Sequence, residues 1–203
     1  WSTKGVEGVY RFLGRVWRLF VDERSETEFE QAETTAETAE NRGALLDLIK
    51  PSPAIKDAQP MPAQLKTLHA CIKKVTEDLE GLRFNTAISA LMVFVNEAMT
   101  WETKPVSVLR DYLILLQPFA PHLAEELWAK LHSAFPIPRS ALAYAPWPTH
   151  DPALLIESTI EIPVQVNGKL RDRVVVPAGI AQADLEKAAL GCEKAQQFLA
   201  GKT

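Results

Sequence analysis

Several features are scarce or missing in this 203-residue chain, and each absence narrows what it can be. No stretch reaches the roughly 18 consecutive apolar residues that a membrane-crossing helix requires. Trp1 is not followed by the basic and then apolar layout of a secretory leader, and the lack of an initiating methionine suggests a piece of something longer. There are two cysteines, Cys71 and Cys192, far apart and in helical patterns, with no Cys or His at zinc-ligand spacing. Two buried reduced thiols are the plain expectation, and they fit an intracellular protein. No glycine-rich phosphate loop, His-x-x-x-His, Cys-x-x-Cys or nucleophile-elbow serine occurs. His122, Glu125 and Glu126 stand where a helix begins, and acids there complement the helix dipole. His69 and His132 are lone residues on helices. No catalytic or metal site is legible.

What is present is ordinary globular material, 47% hydrophobic and 24% charged, enough for one large domain or a medium one with a small companion. The net charge of −4 is unevenly placed. Residues 22–40 hold eight acids and one base, a local −7, which leaves +3 for everything else. The acidity therefore belongs to one segment, and a nucleic-acid partner stays open. That segment reads as a solvated loop or a frayed helix start.

Val9, Phe12, Leu13, Val16, Leu19 and Phe20 share one helical face. Arg11, Arg15 and Arg18 follow i, i+4, i+7 and form a separate basic stripe on that helix, suited to phosphate oxygens or simply to solvent. "RGALLDLIK" is a short amphipathic piece, closed by Pro51, Pro53, Pro60 and Pro62. A long helix is expected from Pro62 to Glu80 with Gly81 as its C-cap, and another with Asn85 as its N-cap. Pro105 opens a further helix, Pro118 and Pro121 break it, and "HLAEELWAKLHSAF" resumes it. That gives four or five helices over residues 5–135, a bundle. Phe135 to Pro152 is proline-rich and non-periodic, an extended connection. We expect a mainly α chain: a helical domain over 1–150 and a small α/β (α+β) unit over 151–203, with a β-hairpin and a final helix.

The hairpin is "IEIPVQVNGKLRDRVVVP", Ile160 to Pro177. A two-residue Asn167-Gly168 loop would mix apolar and charged residues on each face. A three-residue loop, Val166-Asn167-Gly168, instead opposes Val164 to Leu170, Ile160 to Val174 and Glu161 to Arg173. It puts Lys169, Arg171 and Arg173 on one outward face, with Asp172 opposite Ile162 as the misfit. Such bases either contact a partner or protect a strand edge from aggregation.

"LLQPFAPHLAEELW" (Leu115 to Trp128) resembles a segment of the helical domain that class I aminoacyl-tRNA synthetases for Leu, Ile, Val and Met carry after their catalytic domain. "WSTKGVEGVYRFLGRVWRLF", "RFNTAISALMVFVNEA", "PWP" at Pro146 to Pro148 and above all "VQVNGKLRDRVVVP" are similar to the bacterial and organellar leucyl-tRNA synthetases. The isoleucyl and valyl families share the bundle, but typically continue into a zinc-binding tail or a coiled coil, neither of which is visible in this sequence. The resemblance implies the tRNA-binding C-terminal portion of a leucine–tRNA ligase. The catalytic and editing domains, with ATP and Mg, would lie upstream in the same polypeptide, leaving no cofactor and no catalysis here. It implies tRNA(Leu) held by shape and backbone, with the bundle near the D-stem and anticodon stem and the small unit at the elbow. Arg11, Arg15, Arg18, Gln165, Asn167, Lys169, Arg171 and Arg173 are the candidate contacts. It also implies a C-terminal sheet that is incomplete or pairs its edge with a neighbour. The expected location is the cytoplasm, or an organelle's matrix or stroma in a eukaryote. The alternatives are a helical protein-interaction module or the equivalent bundle of an isoleucyl- or valyl-tRNA synthetase.

Overall fold

The computed structural model describes residues 3–35, 45–136, 141–156, 159–166, 168–192 and 196. The chain divides into two compact units, Trp1–Leu155 and Ile156–Thr203.

The first unit is helical. Its described elements are α1 (Thr3–Phe20), α2 (Glu23–Thr35), a short 3-10 turn (Leu46–Leu48), β1 (Ile55–Lys56), α3 (Pro62–Glu80), α4 (Phe84–Ala98), β2 (Lys104–Pro105), α5 (Val106–Leu116) and α6 (Pro121–Ala134). Two more 3-10 turns follow, at Leu142–Tyr144 and Pro152–Leu155. The bundle and the later hairpin match the expected mainly α class. The extra helix beyond the expected four or five is α2, drawn from the acidic segment.

Local chemistry explains α2. Glu23 and Glu26 lie in its first turn, where carboxylates meet the free N–H groups and the positive dipole end. The Arg24 N–H donates to Asp22 Oδ1 (3.2 Å), a capping contact. Ser25 ties the helix start to the chain ahead of β1: its hydroxyl donates to the Asp22 carbonyl at 2.7 Å and accepts the Lys50 N–H at 3.0 Å.

The core is built around α5, whose Leu109, Tyr112, Leu113, Leu115 and Leu116 are fully shut from solvent. From Phe12 onward, α1 buries the predicted face, while Val9 stays exposed. The Tyr112 ring stacks on Phe94 at 4.5 Å and on Phe20 at 6.4 Å, and Trp101 meets Phe94 edge-on at 5.8 Å. Such offset and edge contacts add about 0.5–1.5 kcal/mol each to simple burial. Burial, with Cys71 nearby, pushes the Tyr112 phenol well above its usual range, and burial lifts the Cys71 thiol to about 12. Both groups are therefore neutral core members.

At the α3–α4 hairpin the Gly81 cap is as expected, and the Asn85 cap is corrected. Gly81 is the C-cap of α3, but its φ is −84°; the left-handed residue is the next one, Leu82, at φ 54°. The Arg83 N–H reaches back to the Asp78 carbonyl (2.7 Å) and the Leu82 N–H to the Leu79 carbonyl (3.0 Å), the two bonds of a Schellman turn. The position that needs left-handed backbone thus falls one residue past the glycine. A Cβ at 81 would press on the guanidinium end of the flexible Arg83 side chain, which would have to shift. The correction is that α4 is capped by Arg83 and Asn85 is already helical; the Thr86 hydroxyl donates to the Arg83 carbonyl (2.9 Å).

Asp78, buried at this turn, receives Lys74 Nζ and Arg83 Nε, both at 2.9 Å. Thr86, Lys74 and Arg83 hold its carboxyl down to about 2.

In the second unit β3 (Thr159–Val166) pairs antiparallel with β4 (Lys169–Pro177), and α7 (Gln182–Leu190) packs on β4.

Candidate nucleic-acid interface

The register of this hairpin differs from the sequence expectation. Val166 pairs with Lys169 across a two-residue turn, so the three-residue loop is not formed. Gly168 supplies a left-handed φ of 73°, as the favoured hairpin turns demand. The extra residue sits farther along: Gln165 pairs with Leu170 and Val164 with Asp172, so Arg171 is bulged out of the ladder. Beyond the bulge Ile162 meets Val174 and Ile160 meets Val176.

A bulge reverses which face each later residue occupies, so its position decides where the bases point. Lys169 lies on the register of Val166, while Arg173 lies on the other face, with Pro163 opposite. Lys169, Arg171 and Arg173 therefore do not share one outward face. Asp172 still faces an apolar residue, now Val164 in place of Ile162, and its Oδ1 accepts the Arg173 N–H (2.9 Å). Arg173 and Gln165 are exposed, and Arg173 Nη1 lies 3.5 Å from Glu161 Oε2. Lys169 is exposed near the turn and Arg171 is half-buried. Asn167 lies outside the described residues.

On α1 the arginines likewise divide. Arg11 pairs with Glu7 one turn earlier. Arg15 Nη1 donates to Asn96 Oδ1 at 2.6 Å and so braces α1 against α4. Arg18 is exposed. The structure places these side chains on one helix, but it assigns one of them to packing.

Other candidate side chains serve the fold. Glu125 accepts the N–H groups of Leu142 and Ala143, both at 3.2 Å, and Glu126 pairs with Lys130 at 3.1 Å. His69 Nδ1 accepts the Asp151 N–H at 2.9 Å, and His132 Nδ1 lies 2.8 Å from the Trp128 carbonyl. Among the described residues no three His, Cys, Asp or Glu side chains gather as a metal site would need, and no helix is long and apolar enough to cross a membrane. Sequence reasoning missed a cleft beside Trp147, where Arg110 and Asp111 face the proline-rich connection. Its one signal was "PWP" near an Arg-Asp pair that helix periodicity gave no reason to single out.

A helical bundle followed by a small hairpin unit, with arginines on exposed faces, is a class of domain rather than a particular protein. The model for the anticodon-binding domain of tRNA ligases matches residues 63–187, and the chain belongs to that family. It is 41% identical over 202 residues to leucine–tRNA ligases of two strains of Leptospira biflexa serovar Patoc, covering 100% of this chain and 20% of each relative. The chain thus spans about one-fifth of the length of these relatives. A crystal structure described as the ternary complex of Agrobacterium radiobacter K84 agnB2 LeuRS-tRNA-LeuAMS matches with 29% identity and a TM-score of 0.60, over 98% of this chain and 23% of that one.

Proposed function

We propose that this chain is the tRNA-holding portion of a leucine–tRNA ligase and performs no ligase chemistry itself. The observation that carries this reading is the 41% identity running through the whole chain, hairpin included. On this reading the catalytic and editing domains belong to the same polypeptide upstream, where ATP and Mg act, and the partner is tRNA(Leu). The chain works where translation works, in the cytoplasm or an organelle. Exposed Arg18, Lys169 and Arg173 supply cations for phosphates, with Arg11 able to exchange Glu7 for RNA. Half-buried Arg171 orients the bend in the hairpin, and Gln165 adds a polar contact on the Arg173 face. The bundle lies along the D-stem and anticodon stem and the small unit at the elbow, with recognition by shape more than by base edges.

Titration of the chain with a leucine tRNA transcript at two salt concentrations tests this. Affinity is expected to fall by roughly 0.7–0.9 log units per neutralised phosphate for each decade of salt. Absence of binding at low salt would remove the claim that this portion suffices. Arg171→Glu with Arg173→Glu is expected to abolish the elbow contribution, and an unchanged affinity would return the hairpin to scaffold. Incubation with leucine, ATP and tRNA should yield no charged tRNA.

A further inference from the structure

The connection after α6 is a strap. Glu125 fixes its start through the backbone of Leu142 and Ala143, the Trp147 indole N–H donates to the Thr76 hydroxyl on α3 (2.9 Å), and the Asp151 N–H is held by His69. The strap therefore bridges α6 and α3. Against α5 it leaves a cleft of about 400 Å³, lined by Pro146, Trp147, Pro148 and Trp128 and, on its polar side, by Arg110 and Asp111. That volume falls within the usual range for small-ligand pockets.

The polar side narrows the ligand. Arg110 Nε and Nη2 both donate to Asp111 Oδ1, at 3.0 and 2.8 Å, so the pair is locally neutral. A phosphate gains little there, because Asp111 repels what Arg110 attracts. A purely apolar group would strand both half-buried charges. What satisfies the pair is a planar edge with an acceptor for the remaining guanidinium N–H groups and adjacent donors for the carboxylate. Guanine has that edge: O6 accepts, and N1–H and the N2 amine donate. Adenine and cytosine offer the carboxylate a single amine. Trp147, 37% exposed and anchored by its own N–H, provides an aromatic surface on which a base can stack.

We propose that this cleft takes a guanine base, either unpaired in an RNA strand or in a free nucleotide. The tRNA reading bears only on the source of the base. In the test, GMP and AMP, which share ribose and phosphate, are titrated into the whole chain while the Trp147 indole N–H resonance is followed, assigned by its loss in Trp147→Phe. GMP is expected to shift it and to bind about tenfold tighter than AMP. Asp111→Asn should bring the two nucleotides close to parity with the circular dichroism unchanged. Equal GMP and AMP affinities, no shift at millimolar GMP, or a folded Asp111→Asn protein that keeps the preference would each overturn the proposal. If Asp111→Asn does not fold, the GMP–AMP comparison on the unaltered chain decides. A short oligoadenylate with one guanine identifies the source: tighter binding than GMP marks an RNA strand, and equal or weaker binding a free nucleotide. A chain that binds leucine tRNA but not GMP loses this proposal alone, and one that binds GMP but no tRNA loses only the tRNA reading.

Discussion

In the Trp1–Leu155 unit, Phe20, Tyr112 and Phe94 stack within a core drawn from α1 and α3 to α6, with Phe29 of α2 packed against it, whereas in the Ile156–Thr203 unit Val176 is the one buried apolar side chain among the described residues. Leu170 and Val175 of the hairpin are 51% and 66% exposed. The contrast teaches where each unit's order comes from. Burial on the bundle's scale can offset chain entropy alone, while a two-stranded hairpin by itself is marginal in water and leans on the helix packed against it. A marginal element gains most from a partner that binds only its folded form, which is what an RNA-contacting hairpin would be.

The largest break in this comparison should come from the bundle. Phe94→Ala removes the central ring of the aromatic stack and is expected to cost about 3–5 kcal/mol. Urea unfolding followed by hydrogen exchange should show the loss in amides of α3 to α5, with β3 and β4 unaffected; equal losses in both units would mean that they fold as one.

Acid sharpens the same contrast. The Asp78 carboxyl titrates at about 2 in the folded chain, below its ordinary value near 4. A depressed carboxylate contributes stability that is complete above about pH 4 and disappears as pH falls through 2. Asp78→Asn should therefore weaken the bundle at neutral pH and flatten its stability between pH 4 and 2. An acid limb parallel to that of the unaltered chain would show that the carboxylate does not matter.

Within the second unit, Val176→Ala should cost about 1–2 kcal/mol. That is less than the loss at Phe94 in absolute terms, but enough to open a marginal hairpin. Rapid exchange confined to β3 and β4 is the expected result, and protection equal to that of the unaltered chain would contradict a unit resting on Val176.

How much of this was legible in sequence depends on what each signal encodes. The bundle was, because Pro62, Pro105 and Pro121 mark helix starts and the apolar spacing marks their faces. Helix α2 was missed because its Glu-rich run lacks an apolar stripe; Asp22 and Ser25 hold its start, the Trp17 indole donates to Glu26, and Phe29 packs against the core. The hairpin register was missed by two residues, because apolar alternation survives a shift of two and cannot say whether the extra residue sits in the turn or at Arg171. The candidate site suffered for the same reason, since the faces of Lys169 and Arg173 depend on where that bulge lies. Arg15 was legible as a base but not as the partner of Asn96, 81 residues away.

The smallest expected effect tests the bundle's surplus. The Tyr112 hydroxyl is buried in the aromatic stack and finds no hydrogen-bond partner among the described residues. Leaving a hydroxyl desolvated without a bond costs about 1–3 kcal/mol, while its ring earns its place through Phe20 and Phe94. Tyr112→Phe keeps the ring and removes the oxygen, so the bundle should gain about 1 kcal/mol, offset in part by the small void left behind. The gain should raise the thermal midpoint of the bundle and leave the exchange rates of β3 and β4 unchanged. A loss of more than about 1 kcal/mol would mean that the hydroxyl is bonded after all.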